Sequence, residues 1–271
     1  MNMAKKVLFL TLALFGALTA MVGWSIGTAF SALLTAIALV LVRDGLRSES
    51  RLRSLLTIAW LYWGLSYASN LVEAVYFAVL PSRAAGISAV VGLIMALVVS
   101  GLLELLTARE SAASEPQREP QTALAAGVAW RIPVLAFAFF AIYLAAGVAI
   151  QPWIASFYAH RHLPTLTQLL LLQLGRGAFD LACIYPVFLQ WKASRGRAVW
   201  MSAYGFTVLC GWGPLLLPNQ FLPGPIRLAH AVEMGASGVA FGALAALVLL
   251  QSSQAFAKKR GSFVVTDRVF P

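Results

Sequence analysis

Glu73, Arg176, Asp180, His230 and Glu233 stand inside stretches of chain apolar enough to cross a bilayer. Ionisable groups at that depth are costly, and where they occur they pair, carry ions or protons, or meet a ligand. Asn70 stands three residues before Glu73, and His230 three before Glu233, so each couple shares one helix face. Arg176 and Asp180 are four apart, which is ion-pair spacing on a helix. Carboxylates with an arginine suit a small ligand or ion. Histidine with carboxylates is also a donor set for zinc or iron, but one intramembrane histidine is too few to assign a metal. The pattern names no catalytic residue and no cofactor.

The same residues also have a structural reading. Arg176 and Asp180 can neutralise each other within their helix. Glu73 and Glu233 can be bonded to backbone or to Asn70. His230 reads as a hydrogen-bonding group at a helix interface. Glu104, close to a helix end, can extend to the surface and keep only its stem in the apolar layer. His160 and His162, flanking Arg161, read as solvated.

These residues need long apolar helices to hold them. Of 271 residues, 60% are hydrophobic and 11% charged, with mean hydropathy +0.81. Soluble domains carry roughly a quarter charged residues, so an ordinary soluble protein is excluded. The net charge of +10 gathers at the ends of apolar runs, and no nucleic-acid motif accompanies it. No nucleic-acid partner is expected. Cys183 and Cys210 sit in apolar runs without metal-ligand spacing and leave the redox compartment open.

Continuous apolar runs, not ten-residue alternating segments, indicate an all-α polytopic transmembrane bundle. Eight helices are expected near 7–24, 27–43, 54–80, 86–106, 130–150, 164–190, 198–217 and 225–250. A polar, proline-containing linker is expected over 107–129 and a tail over 251–271, both cytoplasmic, in a single transmembrane domain. Of the twenty Lys and Arg, sixteen then fall on one side. Arg83, Arg161 and Arg227 fall on the other, and Arg176 lies within a span. That bias predicts both termini inside and a multi-pass protein of the cell inner membrane, with the lipid bilayer as its partner. Lys5-Lys6 and the apolar run behind them resemble a signal peptide. The run continues past Ala20 without a clean cleavage site, so an uncleaved helix is expected.

Helical rise places the polar residues in depth. Below the outer boundary, His230 lies at about 8 Å, Glu73 about 10 Å, Glu233 about 12 Å and Asn70 about 15 Å. Arg176 lies at about 18 Å, with a side chain leaning outward along its helix, and Asp180 at about 24 Å. The third, sixth and eighth helices are thus expected to converge on an outward-facing polar site, with Asp180 the outlier. Similar depth on oppositely running helices argues against an inverted duplication, which would mirror the depths.

Gly238 and Gly242 form a small-residue pair that lets another helix approach closely, and helix–helix association is expected there. The surrounding Gly235-Ala236-Ser237-Gly238 resembles the Gly-x-Ser-Gly of rhomboid intramembrane proteases. No histidine follows Ser237, and His230 lies two turns away on the same helix. The likeness is read as coincidence.

Asn70 to Phe77, Gln173-Leu174-Gly175-Arg176-Gly177, and the spacing Pro218-Asn219, Pro223, Arg227, His230, Glu233 together resemble a family of uncharacterised bacterial polytopic membrane proteins. The resemblance implies a fold and a candidate residue set, and no activity. Three functions remain: binding or transport of a small ligand or ion, a non-catalytic scaffold or accessory subunit, and a membrane-embedded metal-dependent enzyme. An enzyme is the least favoured of the three.

Overall fold

Polar caps start several of the helices. The Asn2, Ser25, Ser50 and Ser194 side chains each accept from the backbone amide three residues on. Thr165 and Gln168 form a reciprocal capping box. Each cap satisfies an amide that the helix start leaves without a partner. A computed structural model describes residues 2–46, 50–107, 122–124, 127–159, 164–218 and 222–252. Residues 108–121, the three residues His160, Arg161 and His162, and the tail beyond 252 lie outside the described residues.

Eight helical rods form an all-α bundle. They are α1 (Met3–Val22), α2 (Ile26–Gly45), α3 (Arg51–Trp63, Gly64–Ala68 and Ser69–Tyr76 in one run) and α4 (Ser82–Thr107). Then follow α5 (Val128–Tyr158), α6 (Leu166–Leu189), α7 (Arg195–Gly205, Phe206–Trp212 and Gly213–Leu216 in one run) and α8 (Gly224–Leu249). Five of them, α1, α2, α4, α5 and α8, are long and apolar enough to cross a membrane by length and composition. Their outer faces carry large apolar residues in the open, such as Phe9, Ile94, Leu105, Phe137 and Val239. By these features the chain is a membrane protein. The other three rods are the ones that carry Glu73, Arg176 and Asp180, or that contain a wide turn.

Two features were not expected from sequence. Helix α5 does not end at Ile150 but continues to Tyr158, through Pro152. Its 31 residues span about 46 Å, longer than a hydrocarbon core of ~30 Å. The expected outer loop over 151–158 is therefore helix. Second, β1 (Thr122–Leu124) pairs antiparallel with β2 (Leu250–Ser252). The end of the linker is thus tied to the end of α8.

One end of the bundle is basic. Lys6 reaches Asp44, Lys192 N donates to Gly45 O, and Arg131 and Arg195 donate to the last carbonyls of α8 at Val248 and Leu247. Cationic donors at a helix C-terminus satisfy free carbonyls and meet the negative end of the helix dipole. The opposite end holds Arg227, which donates to Leu217 O at 3.0 Å.

Two rods are not α-helical throughout. Gly64–Ala68 in α3 and Phe206–Trp212 in α7 are π-helical, and the two segments pack on each other. A π turn widens the helix and frees a carbonyl from its usual amide, and such turns concentrate at functional sites. Glycines in these segments let α6 and α8 pack close against them. A Cβ on Gly64 would meet Cys183 Sγ at 2.2 Å, and one on Gly211 would meet Met234 Cβ at 2.7 Å.

Gly238 and Gly242 are occupied within the chain itself. A Cβ on Gly238 would lie 2.8 Å from Thr207 Cα, and one on Gly242 2.3 Å from Ser202 O. The seam joins α8 to α7. The expected helix–helix association is therefore intramolecular, because α7 already fills the groove these glycines open.

Candidate functional site

Glu73 lies on the last section of α3, beyond the π segment, and the widened turn sets the face it presents. Two further helices, α5 and α6, converge on its carboxylate. Arg176 Nη1 of α6 pairs with Oε2 at 2.7 Å. Tyr143 Oη of α5 donates to Oε1 at 2.9 Å, and Gln173 Nε2 of α6 donates to Oε1 at 3.1 Å. The Arg176 side chain is 3% exposed and that of Glu73 21%, so the pair is buried on the arginine side, and both charges are hydrogen-bonded, as burial requires. Arg176 also donates to Gln173 Oε1 at 3.1 Å and to Ser69 Oγ at 3.3 Å, and its guanidinium lies against the Phe139 ring. Its Nη2 has no hydrogen-bond partner among the described residues.

Asp180 does not pair with Arg176. The four-residue spacing permits it, but Glu73 and Gln173 hold the guanidinium on the other side. Asp180 is fully buried, and neither carboxylate oxygen has a hydrogen-bond partner among the described residues. The Ser69 hydroxyl accepts from Arg176 and keeps its own proton to turn toward the Asp180 carboxylate beside it, so one neutral hydroxyl is the nearest donor that Asp180 has. An isolated buried carboxylate is among the most expensive arrangements in a protein. A proton or a cation on it removes most of that expense.

His230 and Glu233 form the second part of the site. His230 Nδ1 lies 2.7 Å from Glu233 Oε2, and His230 Nε2 lies 3.1 Å from Tyr158 Oη. Tyr158 reaches His230 because α5 runs on past Pro152. Glu233 is buried, with 5% of its surface exposed. Its carboxylate lies against α5, where a Cβ on Gly147 would be 3.6 Å from Oε1. Ser237 Oγ donates to Glu233 O at 2.7 Å. It is thus engaged with its own helix backbone, away from any nucleophile–base pair.

The two similar motifs do different work. His230 bonds its glutamate, but Asn70 does not touch Glu73. Asn70 Nδ2 donates instead to Leu65 O at 3.0 Å and to Cys210 O at 2.9 Å. These carbonyls belong to the two π segments, so one amide joins both wide turns. Asn70 is therefore a brace, and Glu73 is served by Tyr143 and Gln173.

A small cavity of about 20 Å³ adjoins the centre, with room for one water. Tyr143, Arg176, Cys210 and Ser237 border it, with Phe139, Phe206 and Phe241 closing the rest. No group of three or more His, Cys, Asp and Glu suited to a metal occurs among the described residues.

Glu104 contradicts its surface reading. It is 5% exposed, and its carboxylate accepts from Arg43 Nη2 at 3.1 Å and from Ser54 Oγ at 2.6 Å. Arg43, counted among the flanking charges, is itself buried at 7%. Ser54 and Arg43 sit within reach before Glu104 can extend outward, so a second closed polar cluster ties α2, α3 and α4 near the basic end.

Sequence reasoning missed Ser69, Tyr143, Tyr158, and the Arg43–Ser54–Glu104 cluster. Gln173 had a signal, three residues before Arg176. Tyr143 and Tyr158 had none, since lone tyrosines in an apolar helix are ordinary. No protein-family model, curated protein or solved structure matches the chain.

Proposed function

We propose that this is a multi-pass protein of the cell inner membrane that binds and passes a small ion through the polar centre between α3, α6 and α8. The observation that carries the reading is Asp180, a fully buried carboxylate that no cation pairs with among the described residues, beside an arginine that serves Glu73 instead. One arginine stands between two carboxylates, and it balances one of them at a time. The other then requires a proton or a cation. A pure scaffold has no use for that imbalance, since every other carboxylate in the centre is bonded. Among the described residues no donor set for a metal comes together. The chain's resemblance to polytopic bacterial membrane proteins fits the same reading.

The test is ion flux in proteoliposomes, with protons, sodium and potassium each offered as a gradient. Asp180→Asn is expected to fold with undiminished thermal stability and to lose flux. Flux equal to the parent would remove Asp180 from the path. No flux of any ion in the parent would favour the scaffold.

Orientation belongs to the same proposal. Among the described residues, the basic end holds Lys5, Lys6, Arg43, Arg51, Arg53, Arg131, Lys192, Arg195 and Arg197, and the other end Arg83 and Arg227. Positive charge marks the cytoplasmic side, so both termini are cytoplasmic and the His230 end faces outward. Reporter fusions at Ser114 and Ala159 are expected on opposite sides. The same side for both would overturn the topology.

A further inference from the structure

His230 and Glu233 are not needed to balance Arg176, yet they are bonded to each other and lie between the outward end and the polar centre. The contacts follow in order. Tyr158 Oη and His230 Nε2 are 3.1 Å apart, and His230 Nδ1 and Glu233 Oε2 are 2.7 Å apart. Glu233 Oε1 then lies beside Gly147, four residues from Tyr143 and so on the same face of α5. Tyr143 Oη donates to Glu73 Oε1 at 2.9 Å, and Glu73 Oε2 pairs with Arg176 at 2.7 Å. The one-water cavity borders Tyr143 and Ser237, one turn beyond Glu233.

We infer that the ion is the proton, and that Tyr158, His230, Glu233 and Tyr143 form the relay by which it passes from the outward surface to Glu73. This inference rests on the proposed ion-passing function and names its ion and route. Histidine is the side chain best suited to exchange protons near neutral pH. Every link in the series is a group that can both give and accept a proton, and no link is selective for a metal cation.

The transfer balances. Tyr158 Oη takes a proton from outside water and gives its own to His230 Nε2 while the Nδ1 proton passes to Glu233 Oε2, leaving a neutral imidazole and a neutral carboxyl. Glu233 gives its proton to Tyr143 Oη along the face of α5 that Gly147 and Tyr143 share. Tyr143 gives its own proton to Glu73 Oε1 and is unchanged. Neutral Glu73 no longer holds Arg176, which is then free to pair with Asp180 four residues along α6. Asp180 releases its proton toward the basic end as it takes the arginine. Glu73 then hands its proton to Asp180 and takes back the arginine, so one proton has crossed, no charge is created and the centre is in its first state again. The ring then returns to its first tautomer by turning over.

Other ionisable groups surround this route. Tyr158 and Tyr143 face the His230–Glu233 pair from α5. Cys210 of α7 borders the cavity, Glu73 of α3 and Arg176 of α6 follow Tyr143, and Trp212 of α7 donates only to Ala231 O. Of these, Tyr143 is the one that touches the next carboxylate.

The experiment is proton flux into proteoliposomes holding a trapped pH dye, compared with sodium and potassium flux in the same preparation. Glu233→Gln and His230→Gln keep side chains able to hydrogen-bond but cannot relay a proton. Each is expected to lower proton flux about a hundredfold or more, the scale of losing a positioned proton-transfer group. Val232→Ala, on the exposed face one residue away, should leave flux unchanged. Undiminished proton flux in both variants overturns the relay while the ion-passing function stands. Flux of sodium or potassium without protons does the same. No flux of any ion in the parent overturns the function itself. If either variant fails to fold, Tyr158→Phe, which removes one hydroxyl near the outward end, must slow proton flux, and full flux there overturns the relay.

Discussion

Arg176→Ala is expected to lower thermal stability in detergent by ~3–5 kcal/mol, the usual result of leaving one partner of a buried ion pair alone. The lower end of that range is expected, because Tyr143 and Gln173 continue to serve the Glu73 carboxylate. The informative comparison is the rescue. Adding Glu73→Gln should recover most of the loss, since it removes the charge left unpaired. Adding Asp180→Asn should recover little, because Asp180 has no bond to Arg176 to lose. The reverse order of rescue would show that the arginine rests on Asp180 in the purified protein. A variant as stable as the parent would show that Arg176 is solvated and that no closed centre exists.

Gly242→Ala is expected to destabilise by at least the ~1–3 kcal/mol of an overpacked core, and Gly242→Leu to prevent folding. The added Cβ would lie 2.3 Å from Ser202 O, 2.7 Å from Ser202 C and 2.9 Å from Ala203 Cα. All three are backbone atoms, which cannot swing aside as a side-chain end does. Gly175 and Gly86 supply the control, for a Cβ at either meets nothing within 4 Å. There Gly→Ala should stabilise by about 0.5–1 kcal/mol through helix propensity alone. Thermal unfolding of the three alanine variants checks the sign as well as the size. An unchanged Gly242→Ala would show that α7 and α8 do not meet at this seam.

Much of this architecture could be read from the chain because the signals were long. Long apolar runs, bounded by polar and small residues, marked the rods to within a few residues at most ends. The exception was α5, expected to end at 150, which instead runs on through Pro152 to Tyr158. The polar centre was legible in residue type, since Glu73, Arg176 and Glu233 were conspicuous against apolar neighbours. Pairing was not. The spacing of Arg176 and Asp180 pointed within one helix, while Glu73, Tyr143 and Gln173 were brought in by tertiary packing. Glu104 was misread for the same reason, because Arg43 and Ser54 come from two other helices. The π segments left no trace in composition, since they follow from how two helices fit together.

Those two wide turns have a consequence for how the chain tolerates changes in its length. Each π turn accommodates one residue more than an α turn, and one residue corresponds to about 100° of rotation around the axis. Taking one residue out of Gly64–Ala68 would let α3 run straight, with little change to the turns before it. Everything after the deletion would turn through that angle. Asn70 would leave the Leu65 and Cys210 carbonyls, and Glu73 would swing away from Arg176 and Tyr143 toward another face. The reading frame of the polar centre is thus set by a single surplus residue. Two homologous chains of equal hydropathy and equal span length, differing by that one residue, would share the bundle and not the site.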